Sequence, residues 1–234
     1  MSKHFYKLLC AVLAGVLLCP AAASADERDF AGIGRYAKAN KELPSPAKGE
    51  RRVVFLGDSI TDFWINNSPG FFSSNNYIDR GISGQTSYQF LLRFREDVIN
   101  LKPALVVINA GTNDAAENTC PFNLDITFGN IVSMVELAKA NGIKVILTSV
   151  LPASGFSWNR GITDAAERIS ALNDRIKSYA SAHRIPYVDY YSAMVSGAER
   201  SLNPEYTSDG VHPQKEGYAV MESLIHPAIR KALR

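Results

Sequence analysis

Ser59 stands in Gly57-Asp58-Ser59-Ile60-Thr61, directly after the apolar run 53–56. Far along the chain come Asp209 and His212, three positions apart in Asp209-Gly210-Val211-His212-Pro213. A serine hydroxyl is a weak nucleophile until a neighbouring base takes its proton. An imidazole does this best when a carboxylate orients it. The two segments supply all three parts, in the order Ser, Asp, His. Each also has a plainer reading. Asp and Ser are favoured helix caps, and a turn at a helix N-terminus can hold phosphate. Asp-Gly is a turn signal, and Pro213 suits the first position of a final helix. Ser59 is set apart by its place between a strand and a helix, where a serine can be presented at a sheet edge. The glycine-flanked elbow of the large hydrolases is not reproduced, because Thr61 occupies the second glycine position. His183 falls at an expected helix end and His226 inside the last helix, so His212 is the histidine in a turn beside an acid.

Two further residues could serve the same chemistry. Asn113, in Gly111-Thr112-Asn113-Asp114, carries an amide able to donate to a developing oxyanion. Gly84, in Arg80-Gly81-Ile82-Ser83-Gly84-Gln85-Thr86, can bring its backbone N–H close to a ligand. Taken singly, each is equally well a loop residue.

The elements that must position these groups follow from hydrophobic pattern. Strands are expected at 52–56, 77–79, 104–109, 143–150 and 186–189, and helices at 59 onward, 88–100, 124–141, 164–183 and 213–233. Gly142 is the expected C-cap of the fourth segment's preceding helix. Near-continuous Val/Ile/Leu strands alternating with helices predict a parallel sheet covered on both faces. The polar motifs all fall at the C-terminal ends of its strands, where such sheets bind ligands.

Before this domain, residues 1–25 read as a cleavable signal peptide. Lys3 and Lys7 precede an apolar run at 8–18, and Ala23-Ser24-Ala25 forms an A-x-A site, so the mature chain is expected to begin at Asp26. The run is too short to span a bilayer, so no stable membrane insertion is expected after cleavage. Residues 26–50 read as a short helix and a linker, and 51–234 as one domain long enough for a sizeable core. The 25 Lys+Arg against 23 Asp+Glu become balanced once Lys3 and Lys7 leave, so nothing points to nucleic acid. Cys10 and Cys19 leave too, and Cys120 remains as a loop or buried thiol.

The blocks around Ser59, Gly84, Asn113 and His212 together resemble the SGNH (GDSL-type) hydrolase superfamily, with Asp209 at the matching acid position. Order and spacing agree from 53 to 233. Ile60 departs from the leucine of the name-giving motif. The chain is most similar to the compact bacterial branch related to platelet-activating factor acetylhydrolases and carbohydrate O-acetylesterases. The resemblance implies an α/β fold: a three-layer α/β/α sandwich with a five-stranded, flavodoxin-like parallel sheet. It also implies roles: Ser59 as nucleophile, His212 as base, Asp209 as its orienter. The N–H groups of Ser59 and Gly84 and the Asn113 amide become an oxyanion hole. No cofactor or metal is implied.

Two loops, 62–76 and 152–160, are expected to wall the pocket, with Trp64 and Trp158 as candidate substrate-binding residues. The expected partner is a small-molecule or glycan ester, with a short acyl group such as acetate. Lipid or aryl esters, an acyltransferase and a non-enzymatic binding module remain as alternatives. A metal hydrolase using Asp58, Asp114, Asp209 and His212 lacks any H-x-H or HExxH pair.

Overall fold

The computed structural model describes residues 29–234; the expected signal peptide lies outside them. Five parallel strands run through the core: β1 (Val53–Gly57), β2 (Tyr77–Gly81), β3 (Leu105–Ile108), β4 (Lys144–Thr148) and β5 (Tyr187–Val188). Their order is β2-β1-β3-β4-β5, with register pairs such as Val53 with Tyr77 and with Leu105. This is the doubly wound arrangement, in which the strand order reverses beside the first strand.

The two faces separate by alternation, as a period of two requires. Val54, Leu56, Val106, Ile108, Val145 and Leu147 point to one side. There they meet Phe90 and Phe94 of α5 (Ser87–Asp97), Ile131, Met134 and Val135 of α7 (Leu124–Ala140), and Ile169, Leu172 and Ile176 of α8 (Ala165–Ala182). Val53, Phe55, Leu105, Val107 and Ile146 point to the other side. They pack on α2 (Ser59–Asp62), α3 (Trp64–Asn67), α4 (Pro69–Ser73), α9 (Tyr190–Met194) and α10 (Lys215–Ala232). Both faces are covered, which is why β1 and β3 read as near-continuous apolar runs. A small antiparallel pair, β6 (Val195–Ser196) with β7 (Ser201–Leu202), sits outside the main sheet.

Two expectations need correction. The last helix begins at Lys215 with Gln214 as its extended N-cap, not at Pro213. Pro213 instead bridges Thr207, and Gln214 N–H donates to the Tyr206 carbonyl at 2.7 Å. The segment 207–213 is thereby closed into a loop carrying Asp209 and His212. The expected loop 62–76 is largely helical, because Trp64, Phe71 and Phe72 are apolar enough to fold it onto the sheet. The short helix expected within 26–50 is present. Helix α1 (Gly34–Glu42) is anchored to the domain, with Asn40 bonded to Arg80 and Asp97 and the Tyr36 hydroxyl donating to the Gly81 carbonyl. The C-cap of α7 is Asn141, and Gly142, expected as the cap, follows it with a positive φ of 71°, the left-handed position that ends such helices. No helix among the described residues is long and apolar enough to cross a membrane.

Candidate active site

Ser59 is the first residue of α2, at the end of β1. Asp58 caps that helix, its side chain accepting from Ile60 N–H at 2.9 Å. Both readings of the Asp58-Ser59 pair therefore hold together: the cap shapes the turn, and the turn presents the serine. The turn needs Gly57, since a Cβ there would lie 1.9 Å from Thr61 Oγ1. Thr61, in place of a second glycine, is thus accommodated by the first.

Ser59 Oγ lies 2.9 Å from His212 Nε2. His212 Nδ1 lies 2.6 Å from Asp209 Oδ2. The other carboxylate oxygen of Asp209 accepts from the N–H groups of His212 (2.8 Å) and Val211 (2.9 Å) and from the Thr207 hydroxyl (3.1 Å). Partial burial pushes this carboxyl upward. The His212 backbone N–H, the His212 ring and the Val211 N–H outweigh that push and hold it at about 2. With Asp209 ionised at neutral pH, a proton on Nδ1 can be donated to it, and Nε2 then faces Ser59 Oγ as an acceptor.

The second loop closes on this turn. Ile82 N–H donates to the Gly57 carbonyl at 3.1 Å, and the Ser83 hydroxyl donates to Asp62 at 2.7 Å. Gly84 has a φ of 79°, and it is open around its Cα. Asn113 lies in the short helix α6 (Thr112–Ala115) after β3 and is buried. Its Nδ2 donates to the Gln85 carbonyl at 3.0 Å, so Asn113 and the Gly84 loop are adjacent. The N–H groups of Ser59 and Gly84 make no hydrogen bond to the described residues. Asp114, next to Asn113, points the other way. It accepts from the Ser87 N–H and hydroxyl and from Thr127, clamping α5 and α7 behind the site. Burial pushes its carboxyl upward despite those bonds.

The two tryptophans part company. Trp158 is 45 % exposed, with its ring 6.0 Å from the His212 ring. Trp64 is only 2 % exposed, so its expected role as a pocket residue is corrected. It stacks on Phe71 at 5.3 Å and on Tyr218 at 5.4 Å, and its Nε1 donates to Glu222. Its neighbour Phe63 takes the expected place. That ring is 39 % exposed and lies 5.4 Å from His212. Asp114 is engaged by Ser87 and Thr127, and no group of three or more His, Cys, Asp or Glu side chains that could hold a metal ion occurs among the described residues.

Sequence reasoning passed over Arg93. It is fully buried on α5 and pairs with Asp97 at 2.9 Å. Its remaining donors reach the Gly57 and Arg80 carbonyls, both at 2.9 Å, and the Gln85 side chain at 2.6 Å. The signal was legible: Phe90, Arg93, Phe94 and Asp97 share one helical face.

Comparison with known proteins shows which family the chain falls in. The family model of the GDSL-like lipases and acylhydrolases matches residues 55–220. The solved structure of a GDSL-like lipase from Bacteroides thetaiotaomicron is 64 % identical, covers 87 % of this chain and 99 % of its own, and superposes with a TM-score of 0.86. Esterase TesA of Pseudomonas aeruginosa is 28 % identical over 79 % of this chain and 87 % of its own length. An acetylxylan esterase of Xylanibacter ruminicola is 22 % identical over 81 % of this chain, which spans only 45 % of that protein's length. With the family model matching 55–220 and the fold shared with a GDSL-like lipase, the chain belongs to the GDSL-like lipase/acylhydrolase family and is a GDSL-type ester hydrolase.

Proposed function

We propose that the protein is an exported serine esterase that removes short acyl groups, acetate foremost, from carbohydrates or other soluble alcohols. The observation that carries this reading is the contact of Ser59 Oγ with His212 Nε2 at 2.9 Å, with Asp209 on the opposite ring nitrogen. Ser59 Oγ attacks the ester carbonyl carbon while its proton passes to Nε2. The tetrahedral oxyanion accepts from the N–H groups of Ser59 and Gly84 and from the Asn113 amide. These donors act only on charge that develops in the transition state, so they lower the barrier rather than tighten the ground state. His212 then protonates the leaving alcohol, and water attacks the acyl-enzyme with the same base. Export rests on the leader at 1–25, and N-terminal sequencing of the secreted chain should begin at Asp26.

Phe63 and Trp158 flank the catalytic histidine as exposed apolar rings. Such faces suit the C–H surface of a sugar ring. The same rings favour a second reading, in which they hold a longer acyl chain of a lipid or aryl ester. Rates on p-nitrophenyl acetate, butyrate and octanoate, followed by release of acetate from acetylated xylo-oligosaccharides, separate the two. The proposal expects acetate to be the best acyl group and the glycan to be deacetylated. A steep preference for octanoate would overturn the substrate half of it.

A further inference from the structure

Three groups around the site have hydrogen-bonding polarity that cannot be reversed. The Gly84 and Gln85 carbonyl oxygens only accept, and the Trp158 indole N–H only donates. Asn118 stands between them. Its Nδ2 donates to the Gly84 carbonyl at 3.2 Å, and its Oδ1 accepts from Trp158 Nε1 at 2.8 Å. Both contacts fix the same orientation of its amide. The nitrogen that results also donates to Asn113 Oδ1 at 2.8 Å. Asn113 is then pinned from both ends, because its own Nδ2 donates to the Gln85 carbonyl at 3.0 Å. Nδ2 carries two hydrogens and Gln85 takes one, so the second remains for an oxyanion. Asn118 itself is exposed and contributes nothing to the core.

We propose that Asn118 is a positioning residue that locks the Asn113 amide nitrogen toward the oxyanion and ties that orientation to the aromatic wall at Trp158. The inference rests on the oxyanion-hole reading of Asn113. Without Asn118 the Asn113 oxygen has lost its donor, the Gly84 carbonyl its tether and the Trp158 indole its acceptor. Substrate contact at Trp158 is thereby mechanically linked to the groups that stabilise the transition state.

A double-mutant cycle on p-nitrophenyl acetate tests this. Asn118→Ala should lower kcat about 2- to 12-fold, the factor one hydrogen bond sustains, with KM unchanged. In an Asn113→Ala background the same substitution should change kcat by less than about twofold, since the group it orients is gone. Trp158→Phe keeps a ring but removes the indole donor. It should lower kcat in wild type and have no such effect once Asn118 is alanine. Multiplying factors in the Asn113→Ala/Asn118→Ala protein, or a change confined to KM, would overturn the proposal. A full rate in Asn113→Ala alone would remove the oxyanion-hole reading beneath it, an outcome separable from the first.

Discussion

Arg93 donates to the carbonyl oxygen of Gly57, two residues before Ser59, across 2.9 Å of fully buried space. The same guanidinium holds the Gln85 side chain, which in turn donates to the Ala31 carbonyl. One buried cation therefore couples the serine turn, the Gly84 loop and the N-terminal segment. Removing it takes one donor from Asp97, from the Gly57 and Arg80 carbonyls and from the Gln85 side chain, and leaves Asp97 with Asn40 and Gly57 with the Ile82 N–H. Arg93→Met should cost about 3–5 kcal/mol, as breaking a buried pair does, read from urea unfolding. A loss under about 1 kcal/mol would mean that water or relaxation replaces these bonds.

Asp209 is tested by Asp209→Asn. An amide oxygen can still face Nδ1, but its NH2 group can equally force the imidazole into the wrong tautomer. The expected loss in kcat is on the order of 10⁴-fold with the fold intact. Near-normal turnover would show that the loop backbone alone orients His212.

Asn113→Ala should lower kcat about 100- to 1000-fold while leaving KM for a small ester nearly unchanged. A matching rise in KM would place the amide in ground-state binding instead.

The two tryptophans should fail in different ways. Trp64→Ala empties an aromatic cluster and should cost about 3–5 kcal/mol of stability. Trp158→Ala should leave the melting temperature nearly unchanged and raise KM for the preferred ester. The opposite pattern would contradict the placement of these rings.

Burial raises the Asp79 carboxyl to about 7, against the Gly81 N–H that it accepts, and raises Asp58 to about 6. In the unfolded chain an aspartate ionises near pH ~3.9. Between about pH 4 and 7 the folded protein keeps a proton that the unfolded chain has released, so stability falls as pH rises through that window. Asp209, held at about 2, acts in the opposite sense: its contribution is full above pH ~4 and is lost on acidification toward pH ~2. Asp79→Asn should flatten the decline between about pH 4 and 7, measured as urea midpoints. Parallel wild-type and mutant profiles would exclude Asp79 as a source of it.

Strands and long helices were legible because each follows from a hydrophobic period that tertiary contacts reinforce. Val106 and Phe90 are buried where the pattern puts them. The start of the last helix was not, because the Thr207–Pro213 bridge overrides the local preference of proline for a first helical turn. Ser59, His212 and Asp209 could be selected by residue type and spacing, and in space they touch. Trp64 and Phe63 are adjacent in sequence, yet one is core and the other borders the histidine. That choice depends on the phase of two very short helices, which no periodicity over four residues can reveal. Helical spacing puts Arg93 on the buried face of its helix, but its bond to Gly57, like the contacts of Asn118, joins distant segments and is visible only once the chain is folded.

The central claim is that Ser59 is the nucleophile. Wild-type protein and Ser59→Ala should be treated with a fluorophosphonate, digested and mapped by mass spectrometry, with p-nitrophenyl acetate hydrolysis followed in parallel. The account predicts one phosphonylated peptide carrying Ser59, loss of turnover in step with labelling, and neither label nor turnover in Ser59→Ala. A label at another residue, or hydrolysis by Ser59→Ala at the wild-type rate, would contradict it.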